Sequence, residues 1–132
     1  MDKRLKKAVR LLSVQKKLHS VAEWKFASLQ RRASDLQDAQ AALIETLNND
    51  ELLYGLFIEA RAQRLQSLAA EAGRVKQAQE IQKQVVLERA MQAKRTERRV
   101  GLLSAEHRRE VEKKEYFALL DGLATKSDAS LP

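Results

Sequence analysis

Apolar residues recur at helical spacing almost from the start of the chain. One row, stepping by seven, runs Ala8, Gln15, Ala22, Leu29, Leu36 and Leu43; a second, four residues on, runs Leu12, His19, Phe26, Ala33, Gln40 and Leu47. Together they make an a/d seam with polar interruptions. Leu5, Leu11 and Leu18 widen the stripe near the N-terminus, as expected where a helix meets more than one neighbour. These rows predict one helix over residues 3–47. A second seam runs Leu65, Leu68, Ala72, Val75, Gln79, Gln82, Val86, Ala90, Ala93, Val100, Leu103, His107 and Val111, with spacings that alternate between three and four almost throughout. It predicts a helix over 58–121, with Gly73 and Gly101 as candidate bending points.

The strongest punctuation lies between the seams, at Asn48-Asn49-Asp50-Glu51. Asn48 suits the N-cap of a new helix and Glu51 the reciprocal position three residues later, so the chain is expected to turn there. Leu52-Leu53-Tyr54-Gly55-Leu56-Phe57-Ile58 follows, the most hydrophobic stretch of the chain, and residues 48–57 read as a bend or a short bridging helix. Gly122 is placed to end the second helix as a C′ residue, and residues 124–132 read as a disordered tail.

A short connection favours antiparallel neighbours. The expected fold is therefore all-α, a single antiparallel two-helix coiled-coil hairpin over residues 1–123. Its arms form a long rod of unequal halves, roughly 68 Å and roughly 96 Å at about 1.5 Å per residue. Part of the second arm, about 100–121, then projects beyond the pair. It carries Leu102, Leu103, Tyr116, Phe117, Leu119 and Leu120, with Leu123 just beyond, apolar surface that argues for a partner.

Composition supports long helices: four glycines, and a single proline that is the last residue, Pro132. Charge matters more by position than in total. Residues 1–32 hold ten Lys/Arg against Asp2 and Glu23, net +8; residues 33–60 hold six acids and no base, net −6; residues 61–132 are net +5. A hairpin folded near residue 50 thus has an acidic bend and a basic open end. The basic N-terminus is not followed by a signal-peptide core, and no run of about 18 apolar residues is present.

The sequence offers little to a catalyst. There is no cysteine, and His19 and His107, both on the seams, are too few for an ordinary metal site. Four isolated glycines make no phosphate loop, and Ser13, Ser20 and Ser34 have no acid-histidine set to activate them. No enzyme and no cofactor are expected. The basic pairs Arg31-Arg32, Arg98-Arg99, Arg108-Arg109 and Lys113-Lys114 suit phosphates. Glutamates interleave with the later ones, however, as in Glu110 to Lys114 at i,i+4, which is the pattern of a solvated helix face and weighs against nucleic acid. Phe26 is assigned to the seam, whereas Trp24 lies off the rows. Leu53, Tyr54, Phe57 and Ile58 have little core to hide in at a two-helix bend and form a candidate docking surface.

A basic first helix, an acidic bend, a long second helix and the ending Arg108-Arg109-Glu110-Val111-Glu112-Lys113-Lys114-Glu115-Tyr116-Phe117-Ala118 together resemble the FliJ/YscO family of type III secretion. The resemblance implies a small cytoplasmic two-helix stalk, similar to the central shaft of rotary ATPases, in flagellar export or in an injectisome. It implies that the open end enters a hexameric export ATPase, a role that falls here on Arg4, Lys6, Lys7, Arg10, Arg108, Arg109, Lys113 and Lys114. It further implies that the bend meets the membrane export gate protein and, in flagellar members, export chaperones, with peripheral association at the inner-membrane export apparatus and no membrane insertion. Phe57-Ile58-Glu59 is similar to the aromatic-led entry of the family's second helix, while Arg61 and Arg64 depart from the apolar or small residues expected beyond it. Two other readings stand beside this one: a coiled coil binding nucleic acid or another acidic surface through residues 1–32, and a structural coiled coil that self-associates through its apolar C-terminal arm.

Overall fold

The computed structural model describes residues 2–49 and 56–129. They form two helices, α1 (Lys3–Asn49) and α2 (Leu56–Ala129), packed against each other as an all-α hairpin; no strand occurs among the described residues. Asp2 starts α1. Its Oδ1 accepts from the Arg4 backbone N–H at 3.3 Å and its carbonyl from Lys6 at 3.0 Å, so a short acidic side chain satisfies a helix donor that has no partner within the helix. The charge also suits the partial positive end of the helix.

The chain divides into two compact units: Lys17–Ala90, the central unit, and Met1–Lys16 with Met91–Pro132, the terminal unit. In the central unit Gln82 Nε2 donates to the Ala22 carbonyl at 3.0 Å, and the Arg32 guanidinium pairs with the Glu71 carboxylate. As α1 numbers rise from 22 to 32, their α2 partners fall from 82 to 71, which is antiparallel packing. The same register brings Leu36 level with Leu68, and these are 3% and 4% exposed. Ala22 is buried as well, its small side chain leaving room for Gln82 to reach the backbone.

All twelve positions of the two α1 rows are buried or half-buried, as are all the α2 seam residues named above except Val111. Most are only half-buried, because a pair of helices closes one stripe from one side. Of the three residues expected to widen the stripe, Leu5 is buried at the seam, one heptad before Leu12, while Leu11 and Leu18 are exposed and have no second neighbour among the described residues.

Several expected boundaries move. Asn48 lies inside α1, which continues to Asn49, so it does not cap a new helix; Phe57 belongs to the first turn of α2 and not to a separate bridging helix, with Ile58 in α2 as expected. Glu51, Leu53, Tyr54 and Gly55 lie outside the described residues. Gly122 does not stop α2, and residues 124–129 are helical where a disordered tail was expected. Glycine costs only about 1 kcal/mol in a helix interior. Leucines and alanines, good helix formers, surround it, so the helix continues through it. The pairing also reaches further than expected: Val100, Leu103 and His107 remain half-buried, and full exposure begins at Arg108. No helix among the described residues is long and apolar enough to cross a membrane.

Candidate partner-binding surface of the terminal unit

The terminal unit holds fifteen Lys/Arg against eight Asp/Glu and the central unit ten against ten, so the whole net charge of +7 resides in the terminal unit. Arg4, Lys6, Lys7 and Arg10 come from the first turns of α1, and Arg108, Arg109, Lys113 and Lys114 from the part of α2 that α1 does not cover. All eight are exposed. Their cross-helix link is an ion pair from Arg4 Nη2 to Glu106 Oε2 at 3.7 Å, with Asp2 Oδ2 3.8 Å from Arg4 Nε. Exposed pairs of this length contribute about 0–1 kcal/mol, so they orient Arg4 without neutralising the surface.

Between the helices of this unit lies a groove of about 260 Å³ lined by Arg4, Lys7, Ala8, Leu11, Thr96 and Arg99. Thr96 is buried and was not among the seam residues expected from the sequence. Its position was legible: it sits three residues after Ala93 and four before Val100, on the seam. Past the groove, Arg108 through Ser127 are exposed without exception. Charged residues occupy the first two turns, and Tyr116, Phe117, Leu119, Leu120 and Leu123 follow, the Tyr116 and Phe117 rings meeting edge-on at 6.1 Å. The exposed end of α2 thus carries its apolar residues after a stretch, 108–115, in which four Lys/Arg alternate with three glutamates.

The chain matches no protein-family model, no curated protein and no solved structure. Its chemistry is therefore read from its own residues.

Of the four residues assigned to the bend, Phe57 and Ile58 are at least half-exposed on α2 in the central unit; Leu53 and Tyr54 lie outside the described residues. Trp24, also in the central unit, is 65% exposed. His19 is half-buried and lies 3.0 Å from Glu23 one turn on, a position on the seam with a local partner. No group of three or more potential metal ligands forms among the described residues.

The central unit also holds a charge contact sensitive to acid. The hydrogen bond from Arg32 holds the Glu71 carboxyl below the usual carboxylate range, against a smaller upward push from desolvation, with the charges of Arg32, Arg74 and Arg64 adding to the depression. A carboxylate lowered by folding stabilises the fold above its ordinary range, and that contribution is lost as pH falls through its lowered value. Glu71→Gln is expected to reduce stability slightly at neutral pH and to match the parent in strong acid. Urea midpoints of the two proteins at both pH values check this; a difference that persists unchanged in acid contradicts it.

Proposed function

We propose that this chain is a non-enzymatic stalk of a type III protein export apparatus, flagellar or injectisome, that binds the hexameric export ATPase and links it to the membrane export gate. The observation that carries the reading is the charge partition: a helical hairpin whose entire net charge lies in the unit that contains the start of α1 and the end of α2. The ring-facing residues are Arg4, Lys6, Lys7, Arg10, Arg108, Arg109, Lys113 and Lys114. Phe57 and Ile58, with Leu53 and Tyr54, face the gate or export chaperones. The place of work is the cytoplasmic side of the inner-membrane export apparatus.

The physical logic is that of a charged pin in a ring. An acidic lumen attracts a cationic helix end from a distance and raises the encounter rate by about 10- to 1,000-fold. Diffuse attraction of this kind fixes no single rotational position, because rim charges act mainly on the rate of association and less on the final fit. The exposed Tyr116, Phe117 and Leu120 then supply apolar contact once seated. The test is direct: purified chain added to the export ATPase at low salt raises its ATPase rate and promotes ring assembly. An unchanged rate and unchanged assembly contradict the stalk reading.

A further inference from the structure

The exposed end of α2 carries a face that is complementary to its own reversal. Glu115, Ala118, Leu119, Gly122, Leu123 and Lys126 line a shallow groove along the outside of the helix, all within the terminal unit. Glu115, Leu119, Gly122 and Lys126 follow one another at spacings of four, three and four, so they share one face. Leu119 and Leu123 are 67% and 62% exposed. Gly122 stands in the middle of the groove, where an added Cβ would meet nothing within 4 Å. Glycine weakens a helix relative to alanine, and no described neighbour within the chain requires it here. Glu115 and Lys126, at the two ends, form no ion pair with a described residue.

From Glu115 to Lys126 the order along this face is acid, leucine, notch, base; in the opposite direction it is base, notch, leucine, acid. A second copy laid antiparallel therefore sets Glu115 against Lys126 and Leu119 against Gly122, each pair occurring twice about a two-fold axis between residues 120 and 121. Leucine enters the space that glycine leaves. Leu123 comes beside the other copy's Tyr116 at one edge of the contact, where both are exposed in the single chain. A parallel copy does the reverse: glutamate meets glutamate, lysine meets lysine, and two glycines face each other across a gap. Charge and shape thus select the same occupant in the same direction.

We propose that residues 115–126 form a self-complementary surface through which two copies of this chain pair antiparallel, Leu119 of each seated over Gly122 of the other and Glu115 paired with Lys126. The contact is isologous. It spans roughly 17 Å at about 1.5 Å per residue, which places it among small interfaces and makes the association weak and dependent on concentration. Pairing shields Leu119 and Leu123 from water, while Phe117 falls on the opposite side of the helix and stays free. The inference goes beyond the stalk reading and does not depend on it.

Sedimentation velocity of the full chain over a range of concentrations tests the proposal, and association that grows with concentration is expected. Gly122→Leu is the deciding variant. It adds apolar surface and favours the helix, so a merely adhesive helix end would associate more tightly; filling the notch is expected instead to weaken the pair about tenfold or more, with helix content by far-UV circular dichroism undiminished. Glu115→Lys and Lys126→Glu are each expected to weaken association several-fold, and their equimolar mixture to recover it, because each then supplies the charge the other has lost. The chain has no cysteine, so single replacements report the direction of pairing. Glu115→Cys mixed with Lys126→Cys is expected to form an intermolecular disulfide under mild oxidation, and neither variant alone. A strict monomer at every concentration overturns the proposal, as does tighter association of Gly122→Leu, a mixture of charge variants that stays monomeric, or cross-linking by Glu115→Cys alone as readily as by the mixture. None of these readouts involves an ATPase, so their failure is separate from failure of the stalk reading.

Discussion

Leu36→Ala is expected to lower the unfolding free energy by roughly 3 kcal/mol, within the span of about 2–5 kcal/mol for truncating a buried leucine. Leu36 is among the least exposed side chains of the chain, and the register set by Gln82 and Arg32 brings it level with Leu68, which is closed off to the same degree. Removing three carbons at that level leaves a gap that one opposing helix cannot close from several sides, as the walls of a globular core partly do. The loss is large against the whole. No described side chain is completely buried, so the hairpin stands on many partial burials and not on a deep core. Urea unfolding followed by far-UV circular dichroism should therefore show the midpoint moving sharply down with little change in slope. Leu18→Ala, at a residue 39% exposed on the same helix, is the matched control and should shift the midpoint far less. Equal shifts for the two would mean that the seam is not where the stability lies.

Periodicity made the helices and their inner faces legible because it reports directly on which residues water is kept from. Each α1 position of the two rows proved to be at least half-buried, including the polar Gln15, His19 and Gln40. Thr96 was left out although its spacing, three after Ala93 and four before Val100, fits the seam. Gln15 shows the cost of such polar seam residues: its Oε1 is closed off from solvent and accepts no hydrogen bond from a described residue. Local signals misled at the helix ends. Gly122 has the chemistry of a stop, yet that preference amounts to about 1 kcal/mol and α2 continues past it to Ala129; Asn48 has the chemistry of a cap but lies in the last turn of α1, which ends at Asn49. Val111 satisfied the spacing of the seam but lies exposed, with no described residue of α1 opposite it. Periodicity identifies a face that asks for a neighbour; it does not supply the length of the neighbour.

The candidate site divides in the same way. The basic residues were visible in the sequence, and block counting showed an alternation of basic, acidic and basic segments. A basic open end followed from those blocks; what counting could not show was where the division falls, residues 1–16 joining 91–132 with fifteen bases against eight acids while the other unit balances ten against ten. The groove at Thr96 and Arg99 was invisible for the same reason. It exists only because residues 4–11 and 96–99 meet across the pair.

That partition decides the second large effect. The variant R108Q/R109Q/K113Q/K114Q lowers the net charge of the terminal unit from +7 to +3 and keeps glutamine, a good helix former, at each exposed position. Under the stalk reading its stimulation of the export ATPase at low salt is expected to fall about tenfold or more, since long-range attraction scales with the charge presented to the ring. Salt supplies the internal check: the Debye length contracts to about 10 Å at about 0.1 M, so added salt should bring the unsubstituted chain down toward the variant and change the variant little. A charge-matched control, K17Q/K25Q/K76Q/K83Q, removes the same number of cations from exposed positions of the central unit and should leave stimulation nearly intact. If both sets reduced stimulation equally, total charge and not its placement would be what the ring reads. If neither did, Arg108, Arg109, Lys113 and Lys114 would have no part in the contact, and the apolar end from Tyr116 to Leu123 would have to carry it alone.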